Sequence, residues 1–280
     1  MNVETFNYSP ESLAPFFYLN KRDRKNIYIF PTEKETLEFY NNFSNFVPES
    51  SYFPAWDTLS YDSFTPSLEI QGKRLQTLHS LLVNDSFDIA MSMKSFTQKI
   101  FINDLDVIDV QIGQEVDFEN LIENLSFLGY VNKDRVESRG TFSIRGGQID
   151  IYPLNSEYPT RIIFNGDEVI ELKLFDFITQ RSIKNIKKVL ITPSSELFQT
   201  KQEDIFKSIG IEPNKDLDEY ELFQFSQNLT NYKSLLDFAP DDISINVIDF
   251  NSCKETFSEL QNIEEDSFNN LQKYFSLKVS

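Results

Sequence analysis

The sequence holds one cysteine and one histidine in 280 residues. A single thiol, Cys253, excludes a disulfide framework and fits a reducing compartment. With His79 as the one imidazole and no clustered cysteines, no zinc set can be assembled. No Ser/His/Asp triad can be built with conviction either; His79 falls in a helical pattern and reads as a structural or surface residue. Glycine is scarce, at eight residues, and the first is Gly72. A phosphate-binding loop needs glycines that let backbone N–H groups approach the phosphates, followed by Lys and Ser/Thr. Gly72 precedes Lys73-Arg74 but has no upstream glycine, and no following hydroxyl to hold magnesium. No G-x-G-x-x-G occurs. No apolar run is long enough to span a membrane, and Met1–Tyr8 is polar and acidic, unlike a signal peptide. The expectation is a cytoplasmic chain without membrane association, metal or bound cofactor. Basic residues are the scarcer charge, 26 against 44 acidic, a net of −18. That balance argues against strong duplex-DNA binding, which depends on neutralising phosphates. Carboxylates are many, but nothing singles out a catalytic pair.

What is present begins with an α/β pattern. Asn26–Phe30 is a short apolar run ending at Pro31, which suits a buried strand. Thr32-Glu33-Lys34-Glu35 has the form of a capping box, and Leu37, Tyr40 and Phe43 then follow at helical spacing. Ser51–Phe53 reads as a second strand. A helix opens at Pro66 and Glu69 and carries Leu68, Leu75, Leu78 and Leu82 on one stripe. Asp88–Met93 and Val107–Val110 read as third and fourth strands, and Asp117–Leu128 as an amphipathic helix. Alternating strands and helices imply a mostly parallel sheet. Around Gly129 the texture turns to strands and turns. Helical patterns return at Gln202–Ser208 and Ser234–Phe238, and the apolar strand Ile243–Ile248 leads into a helix through Phe257, Leu260 and Ile263. The simplest arrangement is a split α/β domain, residues 1–115 and 194–280, with a β-rich (α+β) domain, residues 116–193, inserted.

The inserted block departs from the acidity of the rest. Residues 130–190 hold ten Lys/Arg against eight Asp/Glu, a net of +2, so the remainder carries −20. Strand side chains alternate between two faces. Arg139, Thr141, Ser143 and Arg145 fall on one face, with Phe142 and Ile144 on the other. Gly146-Gly147 interrupts the strand; Ile149 and Ile151 resume the alternation. On the next strand Arg161, Ile163 and Asn165 share a face opposite Ile162 and Phe164. Asn165-Gly166 is a strong hairpin signal, with positive φ expected at both central residues of a type I′ turn. Asp167-Glu168 directly after it therefore reads as part of that turn, not as an acidic metal-binding box. Three arginines, Arg139, Arg145 and Arg161, can stand on one exposed sheet surface, and their fork geometry suits carboxylates.

Longer motifs carry a resemblance. Phe53-Pro54-Ala55-Trp56-Asp57-Thr58-Leu59-Ser60-Tyr61-Asp62-Ser63-Phe64-Thr65-Pro66 resembles a signature of bacterial transcription-repair coupling factors (Mfd proteins). Gly129-Tyr130, Arg139-Gly140, Arg145-Gly146-Gly147, Asp150-Ile151-Tyr152-Pro153, Phe175-Asp176, Thr179-Gln180-Arg181-Ser182 and Leu235-Leu236-Asp237-Phe238-Ala239-Pro240 extend it over about residues 25–260. The resemblance implies the family's N-terminal, UvrB-like module: a degenerate RecA-like α/β domain with an inserted β domain that docks onto UvrA. It implies no catalysis by this module, since ATP, magnesium, RNA polymerase and duplex DNA are handled by other domains of those proteins. The family's docking arginines carry over to Arg145 and Arg161. Its aromatic contact falls on Asn165, beside Phe164, so the expected anchor is not preserved. Arg139 is a further candidate from the face count alone. The alternatives are a fragment of a UvrB-like excision-repair helicase subunit, or a weak DNA-binding module using the +2 block.

Overall fold

The computed structural model describes residues 10–20, 25–58, 65–100, 105–196, 233–240 and 242–261. The expected helix at Gln202–Ser208 lies outside these residues, as do Leu59–Phe64 of the longest motif. The chain divides into two units, residues 1–56, 77–100 and 233–280 in one, and 57–76 and 101–232 in the other.

The first unit is built on a four-stranded parallel sheet in the order β12-β1-β3-β2, where β1 is Lys25–Phe30, β2 Ser51–Phe53, β3 Phe87–Ser92 and β12 Ser244–Val247. All three pairings are parallel, with Ile27 opposite both Ile89 and Ile245. The interior strands β1 and β3 are buried almost throughout, as expected where both sheet faces are covered. Helix α1 (Pro10–Asn20) and helix α2 (Glu33–Phe43) contribute to an aromatic-rich core with Tyr28, Phe30, Phe39 and Phe43. Thr32 caps α2, its hydroxyl accepting from the Glu35 N–H at 3.3 Å, which satisfies a backbone donor the helix leaves unpaired. The buried stripe of α2 is Thr36, Phe39 and Phe43, whereas Leu37 is exposed. The leucine stripe of α3 (Leu68–Val83), whose residues 68–76 belong to the second unit, is corrected in the same way: Gln71, Arg74, Leu75, Thr77, Leu78 and Leu81 are buried and Leu82 is exposed. Three polar residues, Gln71, Arg74 and Thr77, are buried along it, which apolar spacing alone cannot show.

The second unit carries a six-stranded sheet in the order β10-β9-β8-β7-β6-β5. Its strands are β5 (Val131–Asn132), β6 (Thr141–Ile144), β7 (Gln148–Ile151), β8 (Thr160–Asn165), β9 (Glu168–Phe175) and β10 (Ser182–Asn185). Every pairing is antiparallel except β5 with β6. Helix α5 (Phe118–Phe127), capped by Asp117, packs Leu121 and Leu125 into a core with Phe142, Ile149, Ile151, Ile162, Phe164 and Leu172. A two-stranded ribbon of β4 (Ile108–Gln111) and β11 (Lys188–Ile191) joins the same core through Val110, Val189 and Ile191. The segment at 107–110, expected in the parallel sheet, thus pairs antiparallel with 188–191. Its Ile-Asp-Val-Gln alternation is that of a half-exposed strand; interior parallel strands read as continuous apolar runs. Among the described residues, α4 (Met93–Thr97), a 3-10 turn at Leu235–Asp237 and α6 (Phe250–Gln261) complete the elements. No helix among them is long and apolar enough to cross a membrane.

Candidate functional site: the arginine-bearing sheet face

The six-stranded sheet has one face against α5 and one bearing the arginines. The register sets Ser143, Asp150, Arg161 and Lys173 side by side across β6, β7, β8 and β9, and residues directly opposite share a face. Arg145 extends that face at the β6–β7 hairpin. It exchanges backbone hydrogen bonds with Gln148 at 2.9 and 3.2 Å around Gly146-Gly147, and Gly146 sits at φ +58°, a conformation glycine adopts without strain.

Each arginine is held by its own chain. Arg161 donates from Nε and Nη2 to the two carboxylate oxygens of Asp150, both at 2.8 Å, and its guanidinium lies 4.7 Å from the centre of the Phe175 ring. The hydrogen bond that Arg161 donates to Asp150 raises the Arg161 pKa above its ordinary value, against the opposing effect of burial. Gln148 donates to the same carboxylate at 2.9 Å. Arg145 is exposed and donates to the Asp134 carbonyl at 2.8 Å. Arg139 is half-buried, donates to the Ser156 carbonyl at 3.2 Å and sits 5.3 Å from the centre of the Tyr152 ring. The three guanidinium groups are therefore pre-ordered, and a partner would not have to freeze them. Arg161 and Lys173 each have an acid on this face, Lys173 pairing with Glu171 at 2.8 Å. Arg145 has a carbonyl as its partner, not an acid.

This face is not bare, as the sequence count suggested. Thr141 and Ser143 are buried. Val136, Tyr152 and Phe175 form a second small core, with Phe177 packed against it, and Arg135 donates to the carbonyls of Phe177 and Ile178. An antiparallel strand with polar residues on one side reads as open to water, but the chain at 133–137 covers part of it here.

Asn165 and Phe164 separate as alternation requires. Asn165 is exposed and pairs with Glu168. The central residues of that turn are Gly166 and Asp167, with positive φ at Gly166 and not at Asp167 or Asn165. This is the pattern of a II′ turn, one residue on from the expected I′ turn at Asn165-Gly166. Phe164, counted with the candidate contacts for its position beside Asn165, is 7% exposed and meets Phe118 edge to face with ring centres 5.0 Å apart. It belongs to the core and offers no ring to a partner.

The sequence reading missed the acids. Asp150 sits two residues from Gln148 on the polar parity of β7, but its pairing with Arg161 depends on a register that composition does not reveal. It also missed Arg74 and Glu196, a fully buried pair with Nε–Oε2 of 2.7 Å and Nη2–Oε1 of 3.0 Å. Gln71 accepts there from the Ser195 hydroxyl and the Glu196 N–H. Gly72, the glycine set aside as a phosphate-loop candidate, packs so closely that a Cβ would lie 2.2 Å from the Leu154 carbonyl oxygen.

In the parallel unit, the carboxyl ends of the strands are where α/β proteins bind ligands. There the Glu33 carboxylate accepts from the Tyr52 and Ser92 hydroxyls and from the Ala55 N–H at 3.2 Å. Burial, with Glu33 beside it, pushes the Tyr52 pKa well up. Among the described residues no cluster of three His, Cys, Asp or Glu could hold a metal.

The second unit contains the segment matched by the family model of the UvrB interaction domain, residues 108–197. The chain is similar to the transcription-repair-coupling factor of Escherichia coli K12, 27% identical over 195 residues, covering 65% of this chain and 17% of that protein. It is similar to that of Staphylococcus aureus MRSA252, 26% identical over 268 residues, covering 84% and 22%. It is similar also to UvrABC system protein B of Thermosipho africanus TCF52B, 26% identical over 177 residues, covering 62% and 26%. The resemblance read from the motifs therefore holds. The chain spans between about a sixth and about a quarter of the length of these relatives.

Proposed function

We propose that the chain is a non-catalytic docking module of transcription-coupled nucleotide excision repair, whose β unit binds UvrA. Arg145 and Arg161 make charge-assisted hydrogen bonds to carboxylates of the partner, with Arg139 and Asn165 at the margins of the contact. The observation that carries this reading is the set of pre-ordered arginines on one face of the sheet, within the segment that matches the UvrB interaction domain. The parent protein is an ATP-dependent DNA translocase that brings UvrA to stalled RNA polymerase; its ATP, magnesium, polymerase and DNA contacts lie in other domains.

The parallel-sheet unit is a degenerate RecA-like domain in this reading. A carboxylate, Glu33, stands where a nucleotide phosphate would be cradled, and like charge disfavours an anion there. The chain turns over no ATP.

The test is binding of purified UvrA to the chain, compared with Arg145→Ala and Arg161→Ala. Loss of affinity in both supports the assignment; unchanged binding refutes it. The likeness to UvrABC system protein B favours one second reading, a piece of a UvrB-like helicase subunit. ATP hydrolysis by this chain alone would select it. A steep salt dependence of binding to duplex DNA would select direct DNA contact by the basic block.

A further inference from the structure

We infer that Asp150 is a positioning residue for the docking arginine: it fixes Arg161 so that the end of the guanidinium, and no other part, is presented to a carboxylate of the partner. This rests on the docking reading above. A guanidinium has five N–H donors and two forks. The side fork, Nε with Nη2, is taken by Asp150 at 2.8 Å on both arms. The guanidinium carbon lies over the Phe175 ring, 4.7 Å from its centre. Three donors are left, and two of them, one on Nη1 and the second hydrogen of Nη2, form the end fork, whose spacing matches one more carboxylate bidentately. Exposure agrees with this: the Arg161 side chain is 18% exposed and that of Asp150 is 3%. The carboxylate is in turn held by Gln148. Asp150 is too buried to meet a partner itself, so it acts through Arg161.

The inference makes a prediction opposite in sign to simple charge attraction. Asp150→Asn removes a negative charge from a face that is to meet acids. Bulk electrostatics then gives equal or tighter binding of UvrA. Positioning gives weaker binding, because the amide can accept on one arm only and the guanidinium is free to turn. The experiment is a double-mutant cycle by isothermal titration calorimetry of the full chain with purified UvrA, using wild type, Asp150→Asn, Arg161→Ala and the double variant. Thermal melts check that each is folded. The expected result is a loss of about tenfold for Asp150→Asn in the wild-type background and none in the Arg161→Ala background, since coupled residues fail additivity. If Asp150→Asn does not fold, Gln148→Ala takes its place in the cycle, with an expected loss of about threefold.

Equal losses in both backgrounds would mark a merely structural role and overturn the inference. Binding by Asp150→Asn, or by Gln148→Ala where it stands in, as tight as wild type or tighter would overturn it also. Either result leaves the docking reading standing, provided that Arg161→Ala weakens binding. Absence of UvrA binding by the wild-type chain, or an Arg161→Ala variant that binds normally, would remove the assignment of Arg161 and this inference together.

Discussion

Arg74 and Arg161 make the same bidentate pair with an acid, both within the β-rich unit, and the two pairs differ in what lies beyond the guanidinium. Around Arg74 and Glu196 the side chains are 0% and 1% exposed. In the pair of Arg161 and Asp150 the acid is as deeply buried, but the arginine side chain is 18% exposed. A sealed pair fixes structure and communicates with nothing outside. A pair with one open end can hold a cation in place and still offer it. The difference teaches that an ion pair does not by itself disqualify an arginine from docking; what matters is which fork it spends.

The comparison can be broken most forcefully at the sealed pair. Glu196→Ala leaves a buried guanidinium without its carboxylate and should cost about 3–5 kcal/mol, read as a shift of the denaturant midpoint. The cost at the open pair should be smaller, about 1–3 kcal/mol for Arg161→Ala, because water reaches one end of the site. Equal costs would erase the distinction. In binding, the order reverses. Arg161→Ala should weaken UvrA binding by about 2 kcal/mol or more, as truncated hot-spot arginines do, whereas Glu196→Gln, if folded, should leave it unchanged.

Adjacent residues on β8 sharpen the same contrast between inside and outside. Phe164→Ala should destabilise by about 3–5 kcal/mol, since its ring fills the core against Phe118. Asn165→Phe should leave the melt nearly unchanged and tighten UvrA binding by about threefold, supplying an aromatic anchor at a rim position. Calorimetry on both variants separates the two faces. The smallest effect concerns the lone thiol. Burial pushes the pKa of Cys253 up to about 12, so its alkylation at neutral pH should be slow until the chain is unfolded.

Much of this was legible in the chain. The strands at 26–30, 51–53 and 88–93, the cap at Thr32 and the alternation of 141–165 follow from apolar runs, hydroxyl placement and period-two patterning. Local patterns did not give partners. The pairing of 108–111 with 188–191 joins segments far apart in the sequence, and Asp150 meets Arg161 across the irregular β7–β8 connection at residues 152–159, which carries no turn signal that fixes a register. The inward Gln71 and Arg74 escaped because a stripe drawn through leucines treats a polar residue as a gap. The segment at 133–137 escaped because nothing local says that an irregular stretch will cross a sheet face. The candidate arginines were found by parity; the acid that holds Arg161 was not, since it lies across on the neighbouring strand.

The central claim is that Arg145 and Arg161 present this face to UvrA. It is tested most directly by titrating purified UvrA with the wild-type chain and with the double variant Arg145→Ala/Arg161→Ala, each shown to be folded by its melt. The account predicts saturable binding by the wild type and a loss of at least about thirtyfold in the double variant. Equal affinity of the two folded chains would contradict it.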